Sequence, residues 1–331
     1  MSDPHHRRPS AAVLAPAAPV LAAPLALVVV GGLPAAALGQ DEAGGSDDLP
    51  PVSALVADEP GFRLGVDYQW QDDAPLVSGG RVGIQRVGVD AVFEADLDES
   101  FSLAVGLEYD LDLWDFKRTT VFTEEWEDIH QIALSATVNL ELDNDWDVYG
   151  GPVVRYAGES GADLNDSITL GGFAGLRWQP STDLTLGLGL AVVEEIEDSA
   201  RLFPIIQLDW EFVPDWRLRT TPTSFNTGST ELQLAWQADR DVEVAVGLLL
   251  NHRPRFRLDD EGAVPDAVAR EEGRWLYLRG TWALDDDIDV TASIGYALEP
   301  DVRLTDAGGE LITERDYDEA LTLGARLSIR F

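Results

Sequence analysis

The sequence predicts an all-β fold: a transmembrane antiparallel up-and-down β-barrel of about 14 strands, following a cleaved signal peptide. Three observations carry that prediction. Apolar residues recur at every second position through most of the chain, as in Phe101, Leu103, Val105, Leu107, Tyr109, Leu111 and Leu113, with small or charged residues between them. The connections between such runs are short and long in turn. The chain then closes on one more alternating run, Leu327, Ser328, Ile329, Arg330 and Phe331. A strand that alternates in this way has one face for an apolar medium and one for a polar medium.

Residues 1 to 39 read as the signal peptide. His5, His6, Arg7 and Arg8 precede an apolar stretch from Ala11 to Leu38, which ends on Ala37, Leu38 and Gly39. That is the order of a basic start, a hydrophobic middle and small residues before cleavage. The stretch is also long enough to span a bilayer, but Pro16, Pro19, Pro24 and Pro34 interrupt it. Lipoprotein acylation is excluded, because the chain has no Cys. Residues 40 to 60 form an acidic linker containing Gly44, Gly45, Pro50 and Pro51, and the barrel occupies 61 to 331.

Fourteen runs are expected as strands, near 61 to 71, 81 to 96, 101 to 113, 127 to 142, 146 to 157, 167 to 178, 184 to 194, 202 to 212, 216 to 223, 230 to 238, 242 to 257, 273 to 284, 288 to 300 and 319 to 331. In the second, Val82 and Ile84 give way to Val87, Val89, Ala91 and Phe93, which predicts a bulge near Gln85 and Arg86. Tight connections, such as Asp143 to Asp145 and Asp285 to Asp287, alternate with long ones such as Trp114 to Trp126 and Leu258 to Glu272. In a bacterial outer-membrane barrel the short turns face the periplasm, which places both termini there.

A soluble two-sheet sandwich alternates as well. Lipid is favoured because the polar face stays polar on nearly every strand, as a wet lumen requires. Aromatic residues also gather on the apolar face near the tight turns: Phe101, Trp146, Trp178, Trp210, Phe212, Trp216, Trp236, Trp282 and Phe331. This is the position of an interfacial girdle.

The loop from Tyr156 to Asp163, the strand from Leu184 to Val192, Phe203-Pro204-Ile205-Ile206 with Trp210, the turn from Pro214 to Leu218 and the ending from Gly324 to Phe331 resemble a family of uncharacterised bacterial outer-membrane barrels. The resemblance runs through most of the chain from Gly61 onward. It implies the fold and a Gram-negative outer-membrane location. It also implies that the last strand, ending in Phe331, is read by the barrel-assembly machinery. It implies no activity and no site residues.

Of 331 residues, 23 are Lys or Arg and 60 are Asp or Glu, for a formal charge of −37. Removing residues 1 to 39 takes away Asp3, Arg7 and Arg8 and leaves −38. That balance excludes a nucleic-acid surface, and the absence of Cys excludes disulfides and thiolate metal sites. His130 and His252 are placed on the lipid side near the long-loop rim, where a general base has no lumenal partner. No catalytic residue and no cofactor is therefore expected. The Asp-rich turns lack calcium-loop spacing and are turn formers, so no metal site is expected.

The lumenal charges are more informative. Glu108, Asp110 and Asp112 are expected to face inward near the long loops, opposite Arg155, Arg253, Arg255 and Arg257, as opposed columns across a water-filled pore. The expected function is a passive pore for small hydrophilic solutes. The alternative is a closed structural or adhesive barrel, whose acidic loops (Glu124, Glu125, Glu194, Glu195, Glu197, Asp198, Asp259, Asp260) take divalent cations and outer-membrane lipid as partners.

Overall fold

The computed structural model describes residues 61–77, 79–118, 126, 128–143, 145–222, 230–261 and 264–331. The expected signal peptide at 1–39, the expected linker at 40–60, Glu124, Glu125 and the side chain of His252 lie outside the described residues. Sixteen strands follow in chain order: β1 Gly61–Pro75, β2 Arg81–Asp98, β3 Phe101–Lys117, β4 Asp128–Asp143, β5 Trp146–Glu159, β6 Ile168–Ser181, β7 Leu184–Val193, β8 Arg201–Val213, β9 Trp216–Pro222, β10 Thr230–Asp239, β11 Val242–His252, β12 Phe256–Arg257, β13 Val268–Asp285, β14 Ile288–Thr305, β15 Leu311–Asp316 and β16 Ala320–Arg330.

Fourteen of these form a closed antiparallel ring, running from β1 to β11 and then through β13, β14 and β16. The ring shuts where β16 meets β1, in register from Arg63 with Arg330 to Gln71 with Thr322. Closure leaves no strand edge inside a bilayer, which is the condition for a sheet to span one. The tight turns are built from their own residues. Asp98 Oδ1 accepts the Ser100 N–H at 2.8 Å, and Asp215 turns the chain from β8 to β9 at φ +69°.

Alternation sorts the side chains as a membrane barrel requires. Leu107, Leu134, Leu188, Leu278 and Ile294 point outward and are 48% to 70% exposed. Rows of this kind all round the ring exceed any apolar patch a water-soluble surface tolerates. Arg86, Asp90, Asp112, Gln131, Arg155, Arg177 and Gln233 point inward and are buried. The chain is a transmembrane β-barrel of the outer-membrane type.

Two expectations about strands are corrected. No bulge interrupts β2 at Gln85 and Arg86, where pairing with β3 runs unbroken from Arg81 with Lys117 to Asp96 with Ser102. The register shift lies in β1 instead, between Gln71 and Ala74. Val82, Ile84 and Arg86 share the inward face, and apolar residues are inside at that level because they pack into an apolar cluster near the long-loop end. That cluster joins Val82, Ile84, Trp114, Trp126, Ile129, Phe256, Leu258, Trp275 and Tyr317. The second correction is that β11 stops at His252 and does not run to residue 257. Part of the expected long loops is also strand, since β13 and β14 pair as far out as Val268 with Thr305 and β15 adds to β14.

Candidate functional site

After His252 the chain turns into the barrel mouth. β12 pairs antiparallel with Ala269 and Val268 of β13, and on its other side Arg257 pairs with Gly158 of β5. β5 and β13 have six strands between them either way round the ring, so this strap joins opposite walls. Leu258 N donates to Ala267 O at 2.8 Å, Asp259 N donates to Glu159 Oε2 at 3.0 Å, and Phe256 and Leu258 are fully buried.

The strap is also held by charge. Arg253 pairs with Asp112 of β3 and lies 3.6 Å from Glu271 of β13. Arg86 of β2 reaches the same Glu271 at 2.5 Å and Asp112 at 3.5 Å. Two guanidiniums thus meet two carboxylates, all with side chains no more than 8% exposed. Tyr317 Oη donates to Glu271 Oε1 at 2.7 Å, Gln71 Nε2 donates to Tyr317 Oη at 3.2 Å, and Gln131 Nε2 donates to Asp112 Oδ2 at 3.1 Å. Desolvated charges persist only when they are paired and bonded in this way.

The opposed columns expected from the sequence are not what forms. Arg253 meets the acidic column at Asp112, with Glu108 buried and Asp110 half-buried on the same face. Arg255 turns instead to Glu195 at 3.3 Å and Asp198 at 2.6 Å, and Arg257 turns to Glu197 at 2.5 Å. Arg155 donates to the Glu194 carbonyl at 3.2 Å. These loop groups line a cavity of about 410 Å³ between Asp166, Thr169, Glu194, Glu197, Asp198 and Arg257. The Ser199 N–H holds the Asp198 carboxyl below the usual carboxylate range, and the nearby Arg255 acts in the same direction.

Towards the tight turns the pairs run along the wall. Arg177 meets Asp147 at 2.8 Å, Arg217 meets Asp209 at 3.4 Å, Arg330 meets Asp289 at 2.9 Å, and Arg326 reaches Asp90 at 2.6 Å and Asp67 at 3.4 Å. Each pair joins strands that are neighbours or next neighbours in the ring. Glycines make room for side chains to lie flat. A Cβ on Gly175 would fall 2.3 Å from the Tyr149 ring, and one on Gly247 would fall 2.1 Å from Tyr277 Oη.

On the outer wall, Trp146 stacks on Trp178 with ring centroids 5.6 Å apart and Trp216 stacks on Trp236 at 6.0 Å. Trp210, Trp282 and Phe331 are exposed on that face near the tight turns. At the opposite rim His130, which the sequence places on the lipid side, has hydrogen-bonding partners on that side. Its Nδ1 lies 2.9 Å from Tyr109 Oη and its Nε2 lies 3.0 Å from Ser160 Oγ.

No protein-family model matches the chain, and no curated protein matches it. Among solved structures it is similar to a Pseudomonas aeruginosa FadL homologue, at 12% identity over 85% of this chain and 91% of that one, with a TM-score of 0.49. It is also similar to the P. putida toluene transporter TodX, at 13% identity over 86% and 93%, with a TM-score of 0.42. A third is the NanC porin, at 10% identity over 80% and 98%, with a TM-score of 0.36. These values transfer neither substrate nor mechanism to this chain.

Proposed function

We propose that the chain is an outer-membrane passive pore for small hydrophilic solutes, with its constriction at the mouth strap and both termini in the periplasm. The observation that carries this reading is the change in pairing along the axis. Below the mouth, the named ion pairs run along the wall and side chains lie flat on neighbouring glycines, which keeps bulk away from the axis. At the mouth, Arg86 with Glu271 and Arg253 with Asp112 bridge across. On this reading the lumen conducts and does not catalyse. β16 with the following Phe331, whose N–H donates to Phe62 O at 2.8 Å across the seam, is the segment offered to the assembly machinery.

Planar-bilayer recording tests this. The wild-type chain should give small conductance steps, and Arg253→Ala should give larger ones by loosening the strap. Absence of steps from both folded proteins would refute the pore. The crossed mouth also favours a second reading, a closed surface barrel whose acidic loops bind divalent cations and surface glycolipid. That reading predicts no conductance from either protein and association with glycolipid vesicles that a chelator abolishes.

A further inference from the structure

Four side chains on the outer wall form a hydrogen-bonded cluster that a pore does not use. Asp128 and His130 lie at the start of β4, Tyr109 faces them from β3, and Ser160 follows the end of β5. Ser160 Oγ donates to Asp128 Oδ2 at 2.5 Å and lies 3.0 Å from His130 Nε2, and the same Asp128 oxygen lies 3.3 Å from that Nε2. Tyr109 Oη closes on His130 Nδ1 at 2.9 Å. Strand register produces this meeting. Ile129 pairs with Glu159, so the next step outward sets Asp128 beside Ser160, and Ser160 N donates to Asp128 O at 3.3 Å. His130 shares its face with Ile132 and Leu134, which are 39% and 50% exposed. The cluster therefore sits at the upper edge of the lipid-facing band, open to groups held in the membrane.

A hydrogen-bonded tie between loop and wall would need only Asp128 and Ser160, which already hold each other. An imidazole fixed at both nitrogens, with one of them on a serine hydroxyl, is the arrangement that activates an oxygen nucleophile. We propose that Ser160 and His130 are the nucleophile and base of a site that cleaves carboxylic esters of membrane lipids.

With Nδ1–H donating to Tyr109 Oη, the Nε2 lone pair accepts the Ser160 hydroxyl once that hydroxyl turns to it from Asp128 Oδ2, to which it donates in the resting site. Ser160 Oγ forms a bond to the acyl carbon while Nε2 takes its proton. The ester C–O bond then breaks, and the imidazolium returns that proton to the departing alkoxide, releasing an alcohol. Water, giving its proton to the same Nε2, then bonds to the acyl carbon; the acyl C–Oγ bond breaks, Nε2 passes the proton to Ser160 Oγ, and a carboxylic acid leaves. The carboxylate of Asp128 stabilises the imidazolium formed in both halves.

The test uses the full chain reconstituted in vesicles of phosphatidylethanolamine and phosphatidylglycerol, and separately in vesicles carrying acylated bacterial glycolipid. Free fatty acid is measured by mass spectrometry. Release from one set and not the other identifies the lipid source. The wild type should release fatty acid, Ser160→Ala should not, and His130→Gln should be slower by about 100-fold or more. A fluorophosphonate, which reacts with activated serines, should add to Ser160 of the wild type and leave the His130→Gln protein unlabelled, with strand content checked by circular dichroism. Release unchanged in Ser160→Ala would overturn the proposal. So would a folded wild type that neither releases fatty acid from either vesicle nor takes the probe at Ser160. Conductance plays no part in these readouts, so this site stands or falls independently of the pore.

Discussion

Arg86 is buried inside the mouth, and its charge is tolerable there because Glu271 and Asp112 answer it at 2.5 Å and 3.5 Å. Removing one member leaves an uncompensated desolvated charge, a loss of about 3 to 5 kcal/mol in buried pairs. Glu271→Gln should therefore lower unfolding stability by about 3 kcal/mol in urea titrations of the lipid-reconstituted barrel. Combining it with Arg86→Met should recover much of that loss, because the stranded cation is then gone. Equal losses in the single and double variants would show that the pair is not coupled. At the loop surface, Asp198 behaves differently. Its carboxyl is held below the usual range, so the stability it contributes is present above the unfolded value of about 3.9 and is lost as pH falls through the lower folded value. The stability difference between wild type and Asp198→Asn should therefore be flat from neutral pH to about pH 4 and vanish below it. A difference that persists under stronger acid would contradict this.

Among the elements, the ring strands were legible because alternation is imposed on each strand separately, by lipid outside and water or charge inside. The strap was not, because Arg253, Arg255 and Arg257 continue the same alternation past His252. The signal that could have found it is Pro254. Proline offers no N–H to a ladder and so marks where β11 must end. Val82 and Ile84 misled for a related reason: periodicity reports a change in which face is apolar, and here the medium changed while the backbone did not. The Ser160 cluster lay in the register. Counting outward from Glu141 with Asp147 sets Asp128 opposite Ser160, but the register shift between Glu141 and Asp143 puts a count begun at the tight turn off by one. The glycine wall carries its own prediction. Gly175→Val should force Tyr149 off the wall, at a cost of about 1 to 3 kcal/mol, and replacing Tyr149 by Ala in the same protein should relieve most of it. Unfolding midpoints of the three proteins decide the matter.

At the scale of the whole molecule, the charge of −37 is distributed by depth. Inside the barrel most named carboxylates have an Arg partner, so the wall is close to neutral. The loops at the long-loop end keep an excess in exposed groups such as Asp163, Asp260, Glu261, Glu310 and Asp318, while Glu195, Glu197 and Asp198 line a cavity where they meet Arg255 and Arg257. A mouth of one sign raises the local concentration of counter-ions, and the effect extends over the Debye length, roughly 30 Å at 0.01 M salt and 3 Å at 1 M. If the lumen conducts, it should favour cations at low salt and lose that preference at high salt. Reversal potentials across a roughly threefold KCl gradient give the measurement: displaced toward the potassium potential when the dilute side is about 0.01 M, and near zero when it is about 1 M. Glu194→Gln with Glu197→Gln should reduce the low-salt displacement and leave the high-salt value alone. A preference that survives at high salt would assign selectivity to the paired wall, where charges a few ångströms from the ion's path are poorly screened, and would move the filter from the loops to the lumen.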